Sequence, residues 1–256
     1  MVVISDKIIL EKIKNNEKLK KCFEILENDV EIQAMLKASN INAVERLFYN
    51  DHGVVHSRIV AGASLQILDN LIISNAITKS SNIEDMKIIV LFSAYLHDIG
   101  NSVHRYMHNL FGAILIKDFL DKSLAFLYED KYKMYLIRQE IMNCIFSHDE
   151  NIKSISIESG IIKVADGLDM AEGRARIPYK LGKGDIHSFS ALSIKKVELE
   201  YNENFPITIK VHMTNESGIF QIEEVLNKKI NFSTIKEFIK VIALKNGEEI
   251  KSYTYK

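Results

Sequence analysis

The segment MKIIVLFSAYLHDIGN (residues 86–101) is the most informative stretch of the sequence. Its first eleven residues are apolar on nearly every side of a helix, and an adjacent pair, His97 and Asp98, follows directly. A helix that is hydrophobic all round is normally buried in a protein core. We therefore predict that this helix is the centre of a helical bundle and that its terminal histidine and aspartate lie inside the protein.

The chain around this helix contains no proline before Pro178 and is rich in Leu, Ile, Lys and Glu. Proline breaks helices, whereas these other residues form them well, so we predict an all-α structure up to about residue 180. The helices that concern the chemistry are expected near residues 53–76, 84–100, 104–128, 132–148 and 158–171.

The pattern changes after Pro178. The segment PITIKVHM (206–213) alternates apolar and polar residues and predicts a half-buried strand. The segments VIAL (241–244) and SYTY (252–255) flank Asn246-Gly247, which is a hairpin signal, and residues 221–238 are predicted to be helical. The expected fold is mostly α, with N-terminal helices (1–50), a helical domain (51–180) and a small α+β domain (186–256).

Composition excludes several classes of protein. The chain has 256 residues, and its 33 basic side chains are balanced by 34 acidic ones, which argues against binding long nucleic acid. No stretch approaches 18 uncharged apolar residues, so we expect no membrane span, and the amino terminus does not resemble a signal peptide. Two cysteines suit a reducing compartment, and we therefore expect a cytoplasmic protein.

Six of the eight histidines fall between positions 52 and 148, and several end apolar stripes on predicted helices. The inward positions are His56, His97, Asp98, His108, His148 and Asp166. A single such histidine would usually be a core imidazole bonded to a backbone carbonyl. Burying four imidazoles and two carboxylates without partners would be very costly, and a metal ion removes that cost. The ligand types predict one or two divalent ions of Mn, Fe, Co, Ni or Zn.

The spacing of three segments resembles the HD superfamily of metal-dependent phosphohydrolases. The segments are NDHGVVHSRIVAGA (50–63), FSAYLHDIGN (92–101) and IIKVADGLDMAEGR (161–174). The resemblance covers about residues 50–180 and implies an HD-domain helical bundle. It also implies that His56, His97, Asp98 and Asp166 hold one metal ion and that Asp98 can bridge to a second.

Two further segments resemble the binuclear members of that superfamily. RYMHNLFGAIL (105–115) places His108 where their third-helix histidine lies, and IFSHDE (145–150) places His148 at the first position of their paired-histidine segment. The HD-GYP phosphodiesterases have lysine where this chain has Asn101, and their Gly-Tyr-Pro segment is absent. The resemblance therefore does not imply cleavage of a cyclic dinucleotide.

Positive charge just after Asp166, at Arg174, Arg176, Lys180 and Lys183, indicates where a phosphate would bind. Arg174 and Arg176 suit phosphate oxygens because a guanidinium donates two parallel hydrogen bonds, and solvated charge at a helix end is the alternative. Arg105 and His104 are weaker candidates for contact with substrate. His52 is expected at a helix start in a supporting role. His187 and His212 are expected to be ordinary surface histidines.

The favoured function is hydrolysis of a phosphoester of a nucleotide or small phosphorylated metabolite by water that the metal activates. Asp98 would bridge the ions, and Asp149 would orient or deprotonate the water. Two alternatives stay open: a di-iron oxygenase with the same ligands, and a non-catalytic module that senses a nucleotide. The oligomeric state is also open, with a homodimer among the options.

Overall fold

The computed structural model describes residues 1–77, 82–171 and 186–256, except for the side chains of residues 186–188. Its α-helices are α1 (Ile8–Ile13), α2 (Glu17–Asn28), α3 (Val30–Asn40), α4 (Val54–Ile73), α5 (Ile83–Leu96), α6 (His108–Leu115), α7 (Lys117–Ala125), α8 (Lys131–Ser147), α9 (Ile157–Leu168), α10 (Ile186–Leu192) and α11 (Asn227–Asn231). Its strands are β1 (Val2–Val3), β2 (Ile194–Glu200), β3 (Ile207–Met213), β4 (Ile239–Lys245) and β5 (Glu248–Thr254). The chain is thus mostly helical with one sheet, as the sequence predicts.

Shorter helical turns complete the structure. Two are π-helical, at Ile41–Arg46 and Gln221–Leu226, and three are 3-10 turns, at Ile99–Ser102, Glu216–Gly218 and Lys236–Phe238. Within the described ranges, no helix combines the length and hydropathy that crossing a bilayer requires.

Helix α5 is the buried centre of the bundle, as predicted. Every residue from Ile88 to Asn101 is buried, which includes the His97-Asp98 pair. The helix packs against α2, α4, α8 and α9, so apolar neighbours surround it. Its apolar sequence is therefore explained by burial on all sides.

The helices next to the His-Asp pair end earlier than predicted. Helix α5 stops at Leu96, and the single helix expected at 104–128 is two helices, α6 and α7. A close crossing explains why α5 ends and α6 begins only at His108: a Cβ built on Gly100 would lie 1.9 Å from the carbonyl oxygen of His108 and 2.5 Å from the amide nitrogen of Gly112. Met107 lies in the left-handed region (φ 59°), which turns the chain into α6. The backbone thus folds back sharply and brings His108 towards Asp98.

The five strands form one sheet in the order β1-β2-β3-β4-β5. The β3–β4 pair is parallel and the other pairs are antiparallel. Asn246 and Gly247 both have positive φ, 54° and 88°, so the predicted hairpin is confirmed. Alternate residues of β3 are buried as predicted, and Thr208 on the other face is buried too.

The connection between the parallel strands β3 and β4 crosses over the sheet, as parallel pairing requires. It contains the turn Gln221–Leu226, helix α11 and the turn Lys236–Phe238, where the sequence predicts one continuous helix. Both Gln221–Leu226 and α11 pack against α9. The C-terminal part of the chain therefore lies against the helix that carries Asp166.

The amino terminus corrects one expectation. Val2 pairs with Leu199 and Val3 with Glu198, so the first strand belongs to the C-terminal sheet. The chain is not all α up to residue 180. A two-residue strand is too short to leave a pattern in the sequence, and its partner lies almost two hundred positions away. The boundaries of the three predicted domains stay predictions.

Candidate metal centre

The described helices bring six predicted side chains to one point of the bundle. His56 lies in the first turn of α4, His97 and Asp98 follow α5, His108 begins α6, His148 follows α8 and Asp166 lies in α9. The four histidines and Asp98 are buried, and the Asp166 side chain is 13% exposed.

His56, His97 and the two aspartates form the first cluster. The Nε2 atoms of the two histidines are 3.2 Å apart. Oδ2 of Asp98 lies 3.4 Å from Nε2 of His56 and 3.2 Å from Nε2 of His97. Oδ1 of Asp166 lies 3.2 Å and 3.7 Å from the same two nitrogens. These four ligand atoms surround one small volume.

His108 and His148 form a second cluster with the other oxygen of Asp98. Their Nε2 atoms are 3.0 Å apart, and Oδ1 of Asp98 lies 3.5 Å and 3.7 Å from them. Asp98 therefore presents Oδ2 to the first pair of histidines and Oδ1 to the second. A carboxylate in this position is suited to bridge two ions.

Hydrogen bonds on the outer face of each imidazole fix which nitrogen carries the proton. Nδ1 of His56 lies 2.7 Å from Oδ2 of Asp169. The other three Nδ1 atoms face backbone oxygens: that of His97 lies 2.8 Å from Ala94, that of His108 3.1 Å from Arg105, and that of His148 2.6 Å from Ile145. An oxygen acceptor requires a proton on Nδ1, so each neutral ring directs the Nε2 lone pair inward. Such outer contacts are typical of histidines that bind a metal through Nε2.

The inward nitrogens of a pair can satisfy one another only through an added proton or another cation. Two lone pairs 3.0–3.2 Å apart repel when no proton or cation lies between them. Three overlapping groups of three side chains each present ligand atoms within 4.8 Å of one another. Imidazole nitrogens with carboxylate oxygens are the donor set of divalent transition metals, so these residues fit such an ion.

Metal ligands must be deprotonated, and the pKa values of His108, His148 and the two aspartates are shifted in that direction. His97 is the exception: burial lowers its pKa, but Asp98 and Asp166 raise it above the ordinary 6.5, so a metal ion has to displace a proton there. Burial and the neighbouring His148 lower the pKa of His108 to about 3. Burial raises the pKa of Asp98, but His97 and His52 lower it more, so that it lies well below its usual range. Burial likewise raises the pKa of Asp166, and Lys229 lowers it well below the usual range.

A cavity of about 350 Å³ opens beside the two clusters. The side chains that line it include Asp98, Asp166, His108 and His148 of the clusters, together with Asp149. Within the described part of the chain, the arginine and lysine that border it are Arg105 and Lys229. The cavity is large enough for a small ligand.

The other predicted site residues lie at different distances from the clusters. Asp149 is half-buried, and its carboxylate accepts a hydrogen bond from the backbone N–H of Asn151. Arg105 lies with Nη1 3.9 Å from Oδ1 of Asp98. His52 lines the cavity with Nε2 3.9 Å from Oδ2 of Asp98. His104 is exposed, and its Nδ1 accepts a hydrogen bond from the backbone N–H of Tyr106.

Four predicted cations and one histidine lie outside the description. Arg174, Arg176, Lys180 and Lys183 are outside the described residues, as is the side chain of His187. His212 is partly exposed, and its Nε2 lies 2.7 Å from Oε2 of Glu198.

The sequence interpretation missed three residues of the centre. Asp169 contacts His56, and Asn101 donates a hydrogen bond from Nδ2 to Oδ1 of Asp98 over 2.9 Å. Both lie three residues after a predicted ligand, a helical spacing that could have indicated them. Lys229 approaches Asp166 from the C-terminal crossover, and no local signal in the sequence indicates that contact.

Comparisons with known proteins agree with this geometry. Residues 54–171 match the family described as HD domain. The chain is 45% identical over 225 residues to the "Uncharacterized protein MJ1020" of Methanocaldococcus jannaschii, and the alignment covers 86% of each chain. No solved structure matches the chain. All six clustered histidines and aspartates lie within the matched residues, whereas Lys229 lies beyond them.

Proposed function

The chain belongs to the HD superfamily of metal-dependent phosphohydrolases, and from this premise we propose that it hydrolyses a phosphoester of a nucleotide or small phosphorylated metabolite. One observation carries the proposal. Four buried histidines form two pairs, and within each pair the two Nε2 atoms face each other at 3.0–3.2 Å. Each pair also faces a different oxygen of Asp98. This arrangement is unfavourable without cations and favourable with them.

We assign two adjacent metal positions. The first is held by His56, His97, Asp98 and Asp166, and the second by His108, His148 and the other oxygen of Asp98. The four-residue set and the shared carboxylate support a binuclear site, because each position has at least three ligand atoms. Divalent ions there would supply Lewis acidity, which makes water more acidic at neutral pH and offsets negative charge on phosphoryl oxygens.

The chain's own residues complete the chemistry. Burial raises the pKa of Asp149, but the backbone N–H of Asn151 and the nearby histidines lower it, so Asp149 is ionised at neutral pH. An ionised carboxylate in the cavity wall can orient the attacking water and accept its proton. The guanidinium of Arg105 is positioned to donate hydrogen bonds to a phosphate oxygen, and we assign the same role to Arg174 and Arg176.

The cavity supports a small substrate and not a long nucleic acid. Its volume of about 350 Å³ suits a nucleotide or a phosphorylated metabolite. The near balance of 33 basic and 34 acidic residues gives no extended basic track for a polymer. Both cysteines are free and fully buried, which is consistent with a cytoplasmic location.

A di-iron oxygenase is the second candidate because four histidines and two carboxylates are also suitable ligands for iron. Metal content, phosphoester hydrolysis and dioxygen consumption, measured on one protein preparation, discriminate the phosphohydrolase from the oxygenase. Phosphoester hydrolysis without dioxygen consumption supports our proposal whichever metal is bound, whereas an iron-loaded protein that consumes dioxygen supports the oxygenase. A nucleotide sensor without catalysis is less well supported, since the chain has a suitable ligand residue at every core position of the HD motif.

The decisive experiment measures metal content and then hydrolysis. We expect up to two divalent ions per chain and release of phosphate or alcohol from a panel of nucleotides, sugar phosphates and phosphodiesters. Asp98→Asn should lose metal and activity together because it removes a charged ligand from both positions. Asp118→Asn is the matched control, since the Asp118 side chain is 86% exposed on α7. A metal-loaded wild-type protein inactive on the whole panel would contradict the proposal.

A further inference from the structure

Helix α11 introduces a lysine into the metal centre from outside the HD region. The helix lies in the crossover between β3 and β4, and Nζ of Lys229 is 2.6 Å from Oδ2 of Asp166. Lys229 is only 9% exposed, although lysine side chains are normally solvated. A buried lysine needs a charged partner, and here that partner is a predicted metal ligand.

The backbone of α9 is shaped to admit this lysine. Gly167 follows Asp166, and a Cβ built on it would lie 3.1 Å from Cδ of Lys229 and 3.0 Å from Cδ1 of Leu226. These distances are tighter than ordinary van der Waals contact. The lysine stem therefore crosses directly over α9 at a position that has no side chain.

The two oxygens of Asp166 have different partners. Oδ1 faces Nε2 of His56 at 3.2 Å, on the side of the first metal position, and Oδ2 faces Lys229. A carboxylate held at both oxygens cannot rotate freely. Removal of the lysine would leave Oδ2 buried without its charged partner, and rotation of the side chain would then take Oδ1 away from the histidines.

The lysine of α9 itself, Lys163, has a different partner. Lys163 is fully buried, and its Nζ donates a hydrogen bond to the backbone oxygen of Asp149. It therefore contacts the loop after α8 and does not replace Lys229 at Asp166.

We propose that Lys229 is a positioning residue that orients Asp166 for metal binding. The β3–β4 connection, which carries α11, would then contribute to metal affinity. This inference rests on the proposed metal position at His56, His97, Asp98 and Asp166. It assigns to α11 a role that the HD region alone does not contain. Lys229 acts through Asp166 and is not assigned contact with the substrate.

The test is a Co²⁺ titration of the full-length protein, followed by visible absorption and by equilibrium metal affinity. Lys229→Met should weaken Co²⁺ affinity about 10- to 100-fold, as expected for loss of a group that orients a ligand, and should alter the absorption bands. Lys229→Arg should restore most of the affinity, because it returns the charge to Oδ2. A purely structural role would not respond to that charge.

Lys228→Met is the matched control. Lys228 is the neighbouring residue on α11, and its exposed side chain pairs with Glu224 at 3.1 Å, so we expect no change in Co²⁺ affinity. If Lys229→Met does not fold, Lys229→Gln replaces it, since it keeps a polar donor without the charge.

The outcomes separate this inference from the proposed function. Unchanged affinity in Lys229→Met, or tighter binding because the lysine competes with the metal, would overturn the positioning role while leaving the metal site intact. Failure of the wild-type protein to bind Co²⁺ would overturn the proposed function itself.

Discussion

At the residue scale, Asp98 is the side chain that connects the two histidine pairs. Asp98 presents one oxygen to each pair of histidines, and Nδ2 of Asn101 donates a hydrogen bond of 2.9 Å to Oδ1 of the same carboxylate. Each histidine is in turn held by an acceptor at Nδ1. His56 differs from the other three because its acceptor is a carboxylate, that of Asp169.

The contact between Asp169 and His56 gives the first prediction. Asp169→Asn replaces a charged acceptor by an amide, which weakens the hydrogen bond to Nδ1 and lowers the basicity of Nε2. We expect metal affinity to fall about 10- to 100-fold. Calorimetric titration with Zn²⁺ measures the change, and the exposed-site variant Asp118→Asn serves again as the control. Equal affinities in wild type and Asp169→Asn would show that Asp169 does not support the site.

At the element scale, the approach of α6 to the turn after α5 decides whether the second histidine pair forms. Gly100 permits this approach because backbone atoms of α6 occupy the space where a side chain would begin. A polar network joins helices α2, α4 and α5. Oε1 of Glu27 accepts hydrogen bonds from Arg58 over 2.8 Å and from Tyr95 over 2.7 Å.

Gly100→Ala should be strongly destabilising, because its Cβ would lie 1.9 Å from the carbonyl oxygen of His108. We expect a loss of about 3 kcal/mol or more in the free energy of unfolding, together with loss of the second metal position. Gly112→Ala is the graded comparison, since its Cβ would lie 3.3 Å from Cγ2 of Ile145 and should cost less. Urea unfolding ranks the two variants, and a milder effect of Gly100→Ala than of Gly112→Ala would contradict this packing.

The Glu27 network gives a prediction about pH. Burial raises the pKa of Glu27, but Arg58 and Tyr95 lower it more, so the folded pKa lies below the ordinary 4.5. Ionised Glu27 therefore stabilises the protein above about pH 4.5, and this contribution is lost as pH falls through the folded pKa. We expect Glu27→Gln to cost about 1–2 kcal/mol at pH 7, discounted for the partial exposure of Arg58.

Urea unfolding at pH 7 and at low pH checks this expectation, and the difference between wild type and Glu27→Gln should shrink on acidification. Glu24→Gln is the control, one turn earlier on the exposed face of α2. A difference that is the same at both pH values would assign the effect to packing and not to charge.

At the scale of the whole molecule, the sheet and the bundle are connected at both ends of the chain. Val2–Val3 adds a strand to the sheet, and α11 packs on α9 beside the metal centre. Asn70 of α4 also donates a hydrogen bond over 2.9 Å to the backbone oxygen of Pro206. Unfolding of the sheet would therefore expose part of the bundle core.

We expect one cooperative thermal transition that shifts upward as a whole when metal is added. A ligand that binds only the folded state stabilises it by about 2.7 kcal/mol at one hundred times its Kd. Differential scanning calorimetry with and without Zn²⁺ measures both effects. Two separate transitions, of which only one responds to metal, would show that the sheet folds independently of the centre.

The mostly helical class, the buried central helix, the hairpin at Asn246-Gly247 and the set of candidate ligands could all be predicted from the sequence. Each of these depends on a repeat of 3.6 or 2 residues or on a local turn, which a single stretch of chain contains. The ends of α5 and α6 were not predictable, because the backbone crossing at Gly100 involves residues eight to twelve positions away.

The arrangement of those candidate ligands depends on the packing of the helices and could not be predicted. The tertiary structure separated the two oxygens of Asp98 between two histidine pairs, added Asp169 behind His56 and brought Lys229 to Asp166 from 63 positions away. The strand at Val2–Val3 likewise acquired its partner only in the fold. Periodicity records which face of a helix is buried, but the group it meets there depends on how distant segments pack.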